Sequence, residues 1–284
     1  MIVRAPAKLN LCLFVGPIRD DGLHELASLF EPLELADEIT VTDADGGEDE
    51  VIAEGIEQPD LTARALAALR DAGWEHPPVR IEVRKQIPVA AGLGGGSADA
   101  AAVLRLARGE VEGLRGIALE LGADVPSQLD LRPCLVGGAG EVVEPIRPPG
   151  EHGIVLLPLE SGLDTAAVYA EADRLGATRS DAELEVFRRK LRDATADGAS
   201  PLDYPENLVN DLGEAALALA PEIANSLDAL REAGAESSLV TGSGPTTFGL
   251  FRDREQAERA AVSLRESHPA AIATSPIRAE GGSA

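Results

Sequence analysis

Apolar residues follow one another with only weak alternation from residue 2 to residue 15 (I-V-R-A-P-A-K-L-N-L-C-L-F-V), which predicts a strand. A turn-rich loop, G-P-I-R-D-D-G-L-H, comes next, and the stretch from Leu26 to Val41 reads as a strand pair. Asp43 to Glu50 is an acidic loop. Helical spacing runs from Leu61 to Ala72 and stops at Gly73. Val79 to Val83 is a strand, followed by a glycine-rich stretch in which Ser97 and Asp99 lead an Ala-rich run and mark a helix start. A second helix is expected over Glu112–Leu121, then a hairpin turning at G-G-A-G around residue 138. Pro145 to Gly153 is the best linker candidate. Beyond it come a buried-type strand I-V-L-L-P-L, a helix capped by Asp164 or Thr165, and a charged helix over 181–192. Two helices split at Pro221, a strand–glycine turn–strand over 237–251 and a last helix complete the pattern. The tail after Arg278 is expected to be disordered. This order predicts an α+β chain in two halves, 1–150 and 151–278, with 279–284 as the tail.

The densest chemistry lies in Q-I-P-V-A-A-G-L-G-G-G-S-A-D-A-A-A-V-L, residues 86–104. Gly92, Gly94, Gly95 and Gly96 fall within five residues, directly before a helix. Glycines let backbone amides turn toward one point, and a helix N-terminus adds free N–H donors and the positive end of its dipole. The combination is a phosphate cradle. A plain surface turn would not need four glycines followed at once by a strong helix former. No lysine follows the glycines, which excludes the P-loop, and Ser97 stands where a dinucleotide fold needs its third glycine.

Composition narrows the setting. The chain has 284 residues and a net charge of −24, from 25 basic and 49 acidic side chains. Such a charge repels nucleic acid and anionic membranes, so neither is expected as a partner. Positive charge for a polyphosphate must then be placed locally, and only Lys8, Lys85 and Lys190 are lysines. Cys12 and Cys134 are far apart without metal-ligand spacing, as expected of buried reduced thiols. There is no long apolar span, and M-I-V-R-A-P-A-K lacks the order of a signal peptide, so a cytoplasmic location is expected.

Further candidates each have a bland reading. Lys8 in A-P-A-K-L-N is costly inside an apolar strand unless it has a partner, or it snorkels out from an edge. Lys8 and Asn10 point to the same side of a strand. His24 in D-G-L-H-E-L reads equally as an ordinary loop histidine, and Tyr169 in D-T-A-A-V-Y as a core tyrosine. Asp124 in G-A-D-V-P reads as the cap of a helix starting at Pro126. T-G-S-G-P-T-T-F, with Gly242, Ser243 and Gly244, reads as a hairpin turn.

Taken in order, P-A-K-x-N, D-G-x-H-E-L, G-L-G-G-G-S-x-D-A-A, G-A-D-V-P and T-G-S-G-P-T-x-F resemble the motifs of the GHMP kinases (galactokinase, homoserine kinase, mevalonate kinase and relatives). They are most similar to the branch that phosphorylates the 2-hydroxyl of a cytidine diphosphate-linked methylerythritol, in the non-mevalonate route to isoprenoid precursors. The resemblance spans residues 5–248. It implies a two-domain fold, with an N-terminal half like ribosomal protein S5 domain 2 and a ferredoxin-like C-terminal half. It implies ATP and Mg²⁺, with the nucleotide over Pro88, Ala91, Gly92, Leu93, Gly94, Gly95, Gly96, Ser97 and Ala98, and Ser97 as the candidate metal contact. Lys8 then sits at the phosphoryl-transfer centre with Asp124 as base. Asn10, His24, Thr165 and Tyr169 meet the substrate, and Gly242, Ser243 and Gly244 brace the phosphate loop. Leu23 departs from the pattern, because the family places a tyrosine there that stacks on the cytosine. Another small-molecule acceptor (homoserine or mevalonate type) stays open, as does a non-catalytic nucleotide-binding protein on the same scaffold. The oligomer is expected to be a monomer or homodimer.

Overall fold

The computed structural model describes residues 1–53, 55, 60–159 and 162–278. The expected disordered tail, 279–284, lies outside them. The chain folds into two compact units that interleave along the sequence. The first comprises Met1–Lys8, Leu35–Val89 and Gly94–Leu131, and the second Leu9–Glu34, Ala90–Leu93 and Arg132–Ala284.

Two long strands open the chain, β1 (Ile2–Ile18) and β2 (His24–Asp43). Every β1 residue from Ala5 to Gly16 is buried, which explains the weak alternation of its sequence, since a strand covered on both faces needs no polar side. The strand pair expected over 26–41 is instead the single strand β2. Pro32 does not break it, because it lies between two ladders, one over residues 26–30 and one over 38–43. Its missing N–H is not needed there, and its carbonyl accepts from the Ile277 amide at 2.9 Å.

In the first unit, β3 (Glu50–Ala53) pairs in parallel with β4 (Val79–Arg84), and α1 (Leu61–Asp71) crosses over between them. β4 also pairs antiparallel with residues 38–43 of β2. Asp60 caps α1 by accepting from the Ala63 amide. Helix α2 (Gly95–Leu106) begins two residues before the expected Ser97. Ala98 to Leu104 are all buried in it, so its alanines are core residues packed among Leu66, Leu69, Ile39, Ile81 and the helix α3 (Leu114–Leu121).

In the second unit, β5 (Cys134–Gly138) and β6 (Val142–Pro145) form the expected hairpin, and β5 pairs with residues 26–30 of β2. β7 (Gly153–Leu157), β8 (Ser237–Val240), β9 (Thr247–Phe251) and β10 (Ile272–Thr274) form an antiparallel sheet in the order β10-β7-β9-β8. β7 and β9 are buried throughout. Helices α4 (Thr165–Leu175), α5 (Asp181–Thr195), α6 (Gly213–Leu219), α7 (Ile223–Glu232) and α8 (Arg254–Leu264) complete the unit. Asp164, not Thr165, caps α4, and α5 starts with a capping box between Ser180 and Glu183. The short strands β3 and β10 escape the sequence pattern, having four and three residues.

The second unit also buries an ion pair. His152 Nε2 lies 3.0 Å from Glu31 Oε2, with neither side chain exposed, and His152 Nδ1 lies 2.9 Å from the Gly150 carbonyl. Both ring nitrogens face acceptors, which favours the doubly protonated ring. Burial opposes that charge, and so does Arg278. The Glu31 carboxylate and the Gly150 carbonyl outweigh them and raise the His152 pKa. A raised folded pKa stabilises fully below the unfolded value of about 6.5 and loses that contribution as pH rises through the folded value. Thermal melts are therefore expected to show Tm falling above pH ~6.5, with the slope flattened in Glu31→Gln. An unchanged slope would refute the pairing.

Candidate active site

The first unit holds a lysine–aspartate pair against a helix start. Lys8 stands in β1 after the buried Ala5 and Ala7, with only 7% of its side chain exposed. A buried ammonium needs a partner, and Lys8 Nζ lies 3.4 Å from Asp124 Oδ2. Asp124 follows the Gly122 cap of α3, and its carbonyl accepts from Ser127 Oγ at 2.7 Å. The 3₁₀ turn Pro126–Gln128 has Val125 at its cap position and no side-chain cap bond. The helix-cap reading of Asp124 is therefore corrected: its carboxylate, about a third exposed, faces Lys8.

Gly94 ends the glycine loop in the left-handed region at φ +68° and is the cap residue of α2, with no side chain capping this end. A Cβ on Gly94 would stand 2.8 Å from Lys8 Cγ, so the loop backbone lies directly against Lys8. The first bond of α2 runs from the Ala98 amide to the Gly94 carbonyl. The amides of Gly95, Gly96 and Ser97 precede that ladder and form the donor end of the helix. Ser97 sits half-buried in the first turn, and Ala98 has its side chain in the core. Pro88 is half-buried on the incoming limb. Lysine, helix terminus and carboxylate together suit a polyphosphate with a hydroxyl to be deprotonated beside it.

A second lysine lies beneath the same helix start. Lys85 Nζ donates to Asp37 Oδ2 and, at 2.7 Å, to Asp99 Oδ2. Burial disfavours its charge, but Asp99 and Asp37 more than compensate and its pKa is raised. Burial pushes the Asp99 carboxyl up to about 7 against the pull of Lys85, helped by the neighbouring Asp37. Sequence reasoning missed this cluster, because nothing local pairs Lys85 with a residue 48 positions away.

In the second unit the T-G-S-G turn meets the first part of the glycine loop. Gly92 has φ +74°, and a Cβ there would stand 2.8 Å from the Gly244 carbonyl oxygen and 2.9 Å from that of Thr241. Ala91 and Leu93 on either side are buried. Asn210 Nδ2 holds the turn through the Val240 and Gly242 carbonyls, at 2.7 and 2.8 Å. The Asn10 amide donates to Thr241 Oγ1, and Asn10 Nδ2 to Ser28 Oγ, both at 3.0 Å. Ser243 Oγ lies 3.1 Å from Thr165 Oγ1.

Two of the four expected substrate residues, His24 and Tyr169, also meet in this unit. The His24 and Tyr169 rings lie 5.0 Å apart at 30°. His24 Nε2 bonds Asp173 Oδ1 at 2.9 Å. Asp173 was not anticipated, although it stands four residues after Tyr169 and so on the same face of α4. Leu23 is 52% exposed. Its loop is held by Arg19, which pairs with Asp21, Glu25 and Glu141.

Comparison with known proteins bears on the family of the whole chain. The family model for the GHMP kinases N terminal domain matches residues 60–138, and that for GHMP kinases C terminal matches residues 202–270. The 4-diphosphocytidyl-2-C-methyl-D-erythritol kinase of Streptomyces avermitilis is 40% identical over 96% of this chain and 96% of its own. That of Kineococcus radiotolerans is 40% identical over 92% of this chain and 84% of its own. A crystal structure of 4-(cytidine 5'-diphospho)-2C-methyl-D-erythritol kinase superposes with a TM-score of 0.80 at 34% identity, over 98% of this chain and 100% of that one. With both kinase halves matched and such relatives alike over nearly its whole length, the chain belongs to the GHMP kinases, in the 4-diphosphocytidyl-2-C-methyl-D-erythritol kinase family.

Proposed function

We propose that this chain transfers the γ-phosphoryl group of ATP directly to the 2-hydroxyl of 4-diphosphocytidyl-2-C-methyl-D-erythritol, in the methylerythritol phosphate route to isoprenoid precursors. The observation that carries the reading is the Lys8–Asp124 pair at 3.4 Å with the Gly94 backbone against Lys8. The Asp124 carboxylate takes the hydroxyl proton as attack proceeds, and the Lys8 ammonium offsets charge on the transferring group. The α2 amides hold phosphate oxygens.

Mg²⁺ in such sites is held largely by substrate phosphates and water, with one or two protein oxygens. That fits the residues present. Among the described residues no group of three or more His, Cys, Asp or Glu is placed to hold a metal, and Ser97, in the first turn of α2, is the side chain proposed as its contact. When bound, the ion supplies charge neutralisation on the phosphates.

His24 and Tyr169 take the cytidine end, with Thr165 and Asn10 as further contacts. Asp173 occupies His24 Nε2, so Nδ1 is the ring atom left for the base. Residues 1–150 and 151–278 are the two family halves in this reading, with the family models falling on either side of the division. No helix among the described residues is long and apolar enough to cross a membrane, and the cytoplasm is the proposed setting.

A second reading, a different small-molecule acceptor, is favoured by Leu23, since leucine lacks the stacking face worth ~1–3 kcal/mol per base. ADP release by the purified chain against a panel of the cytidyl substrate, homoserine and mevalonate separates the two. Turnover with the cytidyl substrate is expected. Failure there with turnover of homoserine would overturn the assignment, and ATP binding without transfer to any acceptor would favour a non-catalytic role.

A further inference from the structure

The Lys85 cluster has a geometry that the transfer chemistry does not use. Lys85 is the first residue beyond β4, and its side chain is only 16% exposed. Its ammonium is bonded by two carboxylates, Asp37 at 0% and Asp99 at 4% exposure. Asp37 does more than neutralise it. Its other oxygen, Oδ1, accepts from the backbone amides of Gln86 and, at 2.8 Å, Ile87, the two residues that lead into the glycine loop. Asp99 belongs to α2. A Cβ on Gly95, the first residue of that helix, would stand 3.3 Å from Lys85 Nζ and 3.2 Å from Ile87 Cγ2. The ammonium is thus wedged under the first turn of α2, tied on one side to the carboxylate that holds the incoming limb and on the other to the helix that leaves.

We propose that Lys85, with Asp37 and Asp99, is a positioning residue that sets the incoming limb of the glycine loop against the first turn of α2 and thereby controls affinity for the triphosphate of a nucleotide. The proposal rests on the ATP reading above. Lys85 is not a phosphate ligand here, because its ammonium is already shared between two buried carboxylates. A buried ion pair is also a poor device for stability alone, since desolvation offsets most of the attraction, whereas fixing a register is a well-attested use. The cradle depends on amides converging within a few tenths of an ångström, so freeing either anchor weakens phosphate binding before it unfolds the unit.

The test measures the dissociation constant of MgATP by calorimetry on the full chain, together with KM for each substrate and kcat. Lys85→Met is expected to raise the ATP dissociation constant and KM at least ~10-fold while KM for the acceptor stays within about twofold. Combining Lys85→Met with Asp37→Asn is expected to add little, because both break one brace. If Lys85→Met fails to fold, Asp99→Asn, which keeps the shape and removes the charge, carries the same test with the same expected split. Unchanged ATP binding, an equal rise in both KM values, or fully additive losses would each overturn the proposal. Wild-type chain that binds no ATP would instead overturn the kinase reading beneath it.

Discussion

Asp124→Asn is expected to lower kcat by about 10³-fold, inside the 10²–10⁴ range typical of a positioned general base. The substitution keeps size and shape but removes the basic oxygen. Little else should change. The Asp124 carbonyl still accepts from Ser127 Oγ, and the carboxylate caps no helix. The lost charge opposite the buried Lys8 ammonium costs about 1–2 kcal/mol, moderated because an amide oxygen can still accept from it and the aspartate end is about a third exposed. Tm should then fall by no more than about 8 °C. ATP affinity should hold or improve, since a negative charge near the phosphates has gone. A variant retaining near-wild-type kcat would refute the role of Asp124 as base. A large drop in Tm would mean that its role is structural.

Gly92→Ala is expected to be the most damaging change within the glycine loop. The backbone there is left-handed, which costs an alanine roughly 1–2 kcal/mol. The added Cβ also meets two carbonyl oxygens at 2.8 and 2.9 Å. Neither can yield cheaply. The Gly244 amide bonds the Thr241 carbonyl, the Thr241 amide bonds Thr246, and Asn210 holds the same turn. Overpacking of this kind adds roughly 1–3 kcal/mol. Tm should fall by about 5–15 °C, with a rise in KM for ATP. Gly73→Ala is the control. Its φ is +87°, yet nothing lies within 4 Å of the added carbon, so it carries the backbone strain alone. Equal destabilisation of the two variants would show that the turn does not brace the loop.

Much of this site is legible before folding, and the reason is local. Glycines in series before an Ala-rich helix dictate a backbone that exposes amides, whatever surrounds them. The start of α2 departs from the sequence reading by only two residues, because Gly94 in a left-handed conformation serves as the cap where a side-chain cap was expected at Ser97. The single strand β2 is a different kind of departure. Proline predicts a break wherever its amide would be needed, and only the placement of the two ladders shows that at Pro32 it is not.

By itself, the sequence determined most of the elements, the glycine loop that runs into α2, the five ordered motifs and hence the family. Periodicity, capping and glycine conformations act within a few residues. Tertiary structure alone decided which polar and charged groups meet in buried or partly buried places. Lys85 meets Asp37 across 48 residues, Glu31 meets His152 across 121, and His24 meets Asp173 across 149. No spacing rule links such partners. They are selected by the desolvation cost of leaving any one of them unpaired, and that cost exists only once the chain has closed around them.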